Sequence, residues 1–313
     1  MTPESRSGKP RSESSKPWAA PFGRPLPIAF SLLTLAACGP GIHEIARPPL
    51  PAGVAPAAPV VVLEKSGVPI AWVLGRAGAY EIRLAPGDYQ VYAVARNHSQ
   101  SRRVDLHITP GSRSVVDFDD LQPPATLHLK VLDARNRTPL DARIAIESGQ
   151  RNLVQFLGAH VFFTDLSPAG STRLTLAPGA YALRVSAGGG FTTPSRLLQL
   201  DLAPGATAVR EVALMPRFEP RRQAWYAADL HHHADQAEAV TPPSDLARSQ
   251  LAAGLDLLFV SDHDSTINHH ALQRIAARRG VPFMPGMEIS PSWGHFNAYP
   301  LTPGAALAID TAV

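Results

Sequence analysis

Two phrases built on a Pro-Gly turn recur in the same order, and they limit what this chain can fold into more than any other feature. Tyr80-Glu81-Ile82-Arg83-Leu84 alternates apolar and polar residues, Ala85-Pro86-Gly87-Asp88 turns the chain, and Tyr89-Gln90-Val91-Tyr92-Ala93-Val94 alternates again. The phrase returns 92 positions on, from Tyr89 to Tyr181, as Leu174-Thr175-Leu176-Ala177-Pro178-Gly179-Ala180-Tyr181-Ala182-Leu183-Arg184-Val185. A second pair keeps the same order: Leu106-His107-Ile108-Thr109-Pro110-Gly111-Ser112 answers Leu200-Asp201-Leu202-Ala203-Pro204-Gly205-Ala206. Two matched phrases in register indicate an internal duplication. A period of two puts one face of a strand in a core and the other in water. Runs at this spacing predict two small antiparallel β-sandwich modules, over 58–122 and 123–218. The 31 Pro and 23 Gly fall at intervals along the chain, as many turns require.

The Leu-x-Pro-Gly-x-Tyr hairpin of each copy resembles the transthyretin-like, carboxypeptidase-regulatory-like modules of secreted enzymes. That resemblance implies a spacer or ligand-binding module. His98, His107, His128 and His160 are scattered singly through this region and read as surface or strand histidines. The aromatics that a sugar platform needs are not clustered.

The N-terminus reads as an address. Residues 1–24 hold Arg6, Lys9, Arg11, Lys16 and Arg24 against Glu4 and Glu13, and an apolar run from Leu26 to Ala37 follows. The run is shorter than the roughly 20 residues that span a bilayer core. A basic segment, a short apolar run and small residues before a cleavage point make a secretory signal. Leu35-Ala36-Ala37-Cys38 resembles a bacterial lipobox, which implies cleavage before Cys38 and a lipid on it. Residues 1–38 are then the leader, and the Pro- and Ala-rich 39–57 a tether. The expected place is the outer membrane and periplasm or the cell surface. Cys38 is the one cysteine, so neither an intrachain disulfide nor a thiolate zinc site can form. A net charge of +3 without a basic stripe argues against a nucleic-acid partner.

From Ala224 the character changes. Trp225 to His233 reads as a short strand ending in Asp229-Leu230-His231-His232-His233. Residues i and i+2 of a strand share a face, so His231 and His233 point together and His232 points away. Two neighbouring imidazoles offer a divalent cation two nitrogen ligands. A helix is expected over 242–254, with Ser244 or Thr241 as N-cap and Gly254 as its end. Leu255–Val260 is a run that is apolar but for Asp256, expected of a strand buried on both faces, and Ser261-Asp262-His263-Asp264 follows at its C-terminal end. A second helix is predicted from Thr266 to Arg279, with Gly280 as stop and His269 and His270 on its solvent side. Val281–Pro285 is the next strand, leading into Gly286-Met287-Glu288, and Gly294–Leu301 is a fourth.

Together, Asp229-Leu230-His231-x-His233, Ser261-Asp262-His263, Gly286-x-Glu288 and Gly294-His295-Phe296-Asn297 resemble the PHP (polymerase and histidinol phosphatase) superfamily. The phrase Trp293-Gly294-His295-Phe296-Asn297-Ala298 is most similar to its CehA/McbA branch of metallohydrolases. The resemblance implies a distorted (β/α)7 barrel from residue 224 onward, with two or three divalent ions (zinc, manganese or iron) at its strand ends. It implies that His231 and His233 bind the first ion, that Glu288 bridges two, and that His263 and His295 serve the others. Asp262, His263 and Glu288 form the implied catalytic set, with Asp262 and Asp229 orienting imidazoles through their second ring nitrogens. The implied reaction is metal-assisted hydrolysis of a small phosphoester, ester or carbamate. A barrel of this kind takes on the order of 200 residues or more. Only 224–313 are available for it, so an incomplete barrel and a fragment of a longer protein are expected. The competing expectations are a non-catalytic surface lipoprotein with ligand-binding sandwiches and a decayed catalytic remnant, and a periplasmic metal-binding protein.

Overall fold

A computed structural model describes residues 33–37, 60–76, 79–151, 158–190, 192–237, 239–305 and 307. The basic leader before residue 33, Cys38 and the tether lie outside the described residues. The end of the apolar run, Leu33–Ala37 (β1), lies parallel to Tyr80–Leu84 (β4) with Leu33 beside Tyr80.

The first β module is a four-stranded antiparallel sheet of β2 (Val60–Lys65), β3 (Val68–Leu74), β5 (Gly87–Val94) and β6 (Val104–Ile108), in the order β3-β2-β5-β6. Val61, Leu63, Tyr89, Val91 and Ala93 point from one face into a core closed by Tyr80, Leu84 and Phe118. Its opposite face carries Val60, Val62, Tyr92 and Val94, which are also buried. These two strands are therefore covered on both sides, which a half-buried alternation does not anticipate.

The second module packs two sheets around one core. One holds β10 (Ser171–Leu176), β7 (Ala125–Asp133) and β13 (Thr207–Leu214), and the other β12 (Arg196–Leu202), β11 (Gly179–Ser186), β8 (Arg143–Ser148) and β9 (Val161–Phe163). Leu127, Leu129 and Val131 from one sheet meet Ile144, Leu183 and Val185 from the other. The expectation of a purely antiparallel sandwich is corrected at β13, which runs parallel to β7. Between Leu202 and Thr207 the chain leaves one sheet for the other, so a crossover, not a hairpin, sets the direction of β13.

The two copies share their turn in atomic detail. Gly87 and Gly179 both take positive φ, at 151° and 128°, where a side chain would be strained. Two residues on, the Tyr89 hydroxyl donates to the Ala85 carbonyl and the Tyr181 hydroxyl to the Ala177 carbonyl, each at 2.9 Å. Tyr89 pairs with Leu106 across the sheet as Tyr181 pairs with Leu200.

The C-terminal unit corrects the barrel expectation. Among its described residues are two helices, α1 (Pro243–Ala252) and α2 (His269–Arg279), and four three-residue strands. β14 (Leu258–Val260) lies parallel to β15 (Phe283–Pro285), and β16 (Met287–Ile289) lies antiparallel to β17 (Phe296–Ala298). No (β/α)7 barrel is present among the described residues, because two two-stranded pairs cannot curve into a closed sheet. The strand expected at Gly294–Leu301 is thus a hairpin partner of β16, not a further parallel strand. Neither predicted N-cap is used on α1, which begins at Pro243 after Pro242.

The parallel pairing of β14 and β15 continues past its regular ends. Glu288 N–H donates to Asp262 O at 3.1 Å, Asp264 N–H to Glu288 O at 2.8 Å, and His263 bridges Glu288. On the other side, Asp256 N–H donates to Ala227 O at 2.8 Å and Ser261 N–H to His232 O at 2.7 Å. Trp225–His233 therefore runs beside β14 but is not a strand, because the backbone groups of Phe259 midway are taken by the buried Gln250 side chain. Leu246, Ala247, Leu251, Leu258, Val260 and Leu272 make the core of the unit, with Leu166 of the second sandwich packed against it.

Candidate metal centre

The five side chains expected as ligands meet around one carboxylate. Glu288 is 2% exposed. Its Oε2 lies 2.8 Å from His231 Nε2 and 3.0 Å from His233 Nε2, while Oε1 lies 2.7 Å from His295 Nδ1. His263 Nδ1 stands 3.9 Å from Oε2. The His263 ring stacks on His233 with centroids 4.6 Å apart and meets His295 edge-on at 4.9 Å. Ser290 Oγ lies 2.5 Å from His263 Nδ1 and in turn donates to Glu288 O at 3.2 Å.

This donor set suits a divalent cation. The Nε2 atoms of His231 and His233 face each other at 3.1 Å while both approach the same carboxylate oxygen. One proton can lie between two such nitrogens, but a cation can accept both lone pairs. Nitrogen and oxygen donors bind zinc-like ions at about 2.0–2.2 Å, so neighbouring donors stand about 3.0–3.5 Å apart. Separations of 2.8, 3.0 and 3.1 Å are close to that spacing. His263, Glu288 and His295 form a second group whose ligand atoms lie within 4.8 Å of one another. Glu288 belongs to both groups: its Oε2 is approached by His231, His233 and, further off, His263, and its Oε1 by His295. Burial pushes the Glu288 carboxyl up, but hydrogen bonds from His231 and His295 and the nearby His263 bring it below the ordinary carboxylate value. His231 and His295 remain 56% and 55% exposed, so the centre is open to solvent.

Two sequence expectations, for Asp262 and His269, are corrected here. Asp262 orients backbone instead of an imidazole: its Oδ1 accepts from Ala234 N–H at 2.6 Å and its Oδ2 from Asn268 Nδ2 at 2.7 Å. His232 points away from the cluster as expected, yet it is held, with its Nδ1 2.8 Å from Gln250 Nε2 and its Nε2 3.3 Å from Asp229 Oδ2. Burial lowers its pKa. His269 is buried instead of facing solvent; its Nε2 donates to Gly286 O at 2.8 Å and its Nδ1 accepts from Gly304 N–H at 3.1 Å. His270 is exposed, as expected. Asp229 also accepts from His231 N–H at 3.2 Å.

Gln250, Asn268 and Ser290 were not singled out from the sequence. Gln250 carried a readable signal, since it stands four residues after Leu246 and one before Leu251 on the apolar face of α1. Ser290 and Asn268 carried none.

No protein-family model matches the chain. It is similar over 71 residues, at 35% identity, to a 3',5'-nucleoside bisphosphate phosphatase of Chromobacterium violaceum; the match covers 23% of this chain and 25% of that protein. Over 65 residues, at 31% identity, it is similar to a 5'-3' exoribonuclease of Haemophilus influenzae, covering 21% of this chain and 24% of that one. Among solved structures it is similar to the minor pilin GBS52 of Streptococcus agalactiae, at 13% identity and TM-score 0.33, over 60% of this chain and 97% of that one. A streptococcal ancillary pilin is similar at 14% identity and TM-score 0.32, over 61% and 63%. The chain spans about a quarter of the length of the curated relatives it matches.

Proposed function

We propose that this chain carries a divalent-metal centre of the PHP type that hydrolyses a small phosphoester, or the related ester and carbamate substrates of the CehA/McbA branch. The observation that carries the reading is one buried carboxylate, Glu288, with four imidazoles turned toward it from three separate segments. The partial similarity to a phosphatase agrees with it. In this reading His231 and His233 would hold one ion with Glu288, and His263 and His295 would hold another with the same carboxylate. A bound divalent ion supplies Lewis acidity and a nucleophilic water near neutral pH. The chain's own part is to keep Glu288 ionised, to present ring nitrogens with free lone pairs, and to leave the His231 and His295 side open to substrate. Export and a lipid on Cys38 belong to the same proposal.

The test is metal analysis of the purified full chain alongside hydrolysis of p-nitrophenyl phosphate and an aryl carbamate. About two divalent ions per chain are expected. His231→Ala and Glu288→Gln should each lower that content and abolish turnover; a chain that takes up no divalent ion sinks the proposal.

A second reading is a non-catalytic surface lipoprotein whose sandwiches bind a ligand and whose catalytic portion is a remnant. It is favoured by the proportions of the fold, since β2 to β13 all serve the two β modules while the C-terminal unit has four strands of three residues. Metal uptake without turnover of any ester would decide for it.

A further inference from the structure

The segment that carries His231 and His233 is not a strand, yet it brings two ring nitrogens to one carboxylate oxygen. Two buried amides hold it. Gln250, on α1, donates from Nε2 to Phe259 O at 2.7 Å and to His232 Nδ1 at 2.8 Å, and accepts from Phe259 N–H at 3.1 Å. Both N–H groups and the oxygen are engaged. Reversing the amide would set oxygen against carbonyl and NH2 against N–H, so its orientation is fixed. His232 Nδ1 is then the acceptor, and the ring proton sits on Nε2, facing Asp229.

Asn268 stands at the start of α2, where an Asn side chain ordinarily caps the helix. It makes no cap bond. Its Nδ2 donates instead to Asp262 Oδ2 at 2.7 Å and to Asp235 Oδ1 at 3.0 Å, while Asp262 Oδ1 accepts from Ala234 N–H at 2.6 Å. One amide thus grips residue 232 and the other grips 234 and 235. His233 lies between the two grips.

We infer that Gln250 and Asn268 are positioning residues for the metal centre, holding the 232–235 segment through the His232 ring and the Asp235 and Asp262 carboxylates so that His231 and His233 converge on Glu288. This rests on the reading of that cluster as a metal site. Phe259 satisfies one N–H and the oxygen of Gln250, and a helix cap would use only the oxygen of Asn268. The remaining N–H groups are spent on His232, on Asp235 and on Asp262, the carboxylate that holds Ala234 N–H, so both amides lead to the His-x-His segment.

The experiment is cobalt(II) titration of the metal-free full chain, read by visible absorption, in wild type, Gln250→Met and Asn268→Leu. Each variant should weaken the ion at His231 and His233 by about tenfold to a hundredfold, the usual cost of losing a group behind a ligand. The ion at His263 and His295 should keep its affinity, a difference that general loosening of the fold would not produce. Gln250→Glu and Asn268→Asp keep the shapes and remove the donors, and serve if the apolar variants do not fold. Folded variants with both wild-type affinities overturn the inference. If wild type binds no cobalt, the metal-site reading fails by itself, and nitrogen-15 spectra of the imidazoles then decide the clamp. Loss of the hydrogen-bonded His232 Nδ1 signal in Gln250→Glu supports it, and an unchanged signal overturns it.

Discussion

His269 is a histidine committed to its neutral form. Its Nε2 carries the proton given to Gly286 O and its Nδ1 receives one from Gly304 N–H, so a second ring proton would break the latter contact. Burial lowers its pKa, opposed by the Gly286 bond and by Asp262 and aided by neighbouring His270. The unfolded chain therefore takes up a proton at this position before the folded one does. The stability it contributes is whole above the unfolded value of about 6.5 and is lost as pH falls below it toward the lower folded value. Melting temperatures measured at about pH 7.5 and about pH 5.5 should differ less in His269→Gln than in wild type. An equal difference in both would assign the proton uptake to another group. The juxtaposition of His231, His233, His263, Glu288 and His295 was legible because few residue types bind metals and four short motifs contained them. His269 was not, because its neighbour His270 is the same residue type. The signal that separates them is spacing, with His269, Leu272 and Ala276 on one buried stripe of α2.

At the scale of elements, both helices of the C-terminal unit are anchored to the second sandwich. Gly188 and Gly189 N–H groups donate to the last carbonyls of α1, at Ala252 and Ala253, at 2.9 and 2.8 Å. They satisfy groups that a helix end leaves open. At the end of α2, Arg279 grips both oxygens of Asp141 and donates to Leu166 O at 3.1 Å. The two side chains of this pair are only 14% and 19% exposed. Removing one partner of a buried pair strands the other, so Arg279→Met should cost about 3 kcal/mol. Arg221, 61% exposed in its pair with Asp256, should cost less than about 1 kcal/mol as Ala. Urea midpoints of the two variants check this, and equal shifts would remove any special standing from the Arg279 contact. The hairpins were legible because alternation and Pro-Gly turns are local. The parallel seat of β13 was not, because it depends on a crossover between sheets. Nor was the irregular path of 225–233, which depends on Gln250 lying far along the chain.

For the whole molecule, the order of parts places the His and Glu cluster after two β modules and Cys38 before both. If the proposed lipid sits on Cys38, Cys38→Ser should move the full chain from the membrane fraction to the soluble fraction of cells. Unchanged membrane association would refute that anchor. The closed barrel was an inference from resemblance in four motifs. Those motifs fix the neighbourhood of the cluster but say nothing of how many strands surround it.

The repeated hairpin carries a hazard and its remedy. Two copies with the same turn, the same closing tyrosine and the same register offer each strand a counterfeit mate during folding. In the native pairing Asp88 faces His107 at 2.6 Å and Ala180 faces Asp201. Were β5 to join β12 by mistake, Asp88 would confront Asp201, two negative charges side by side, which disfavours that match. Divergence at these few facing positions lets a duplicated chain tell its first half from its second.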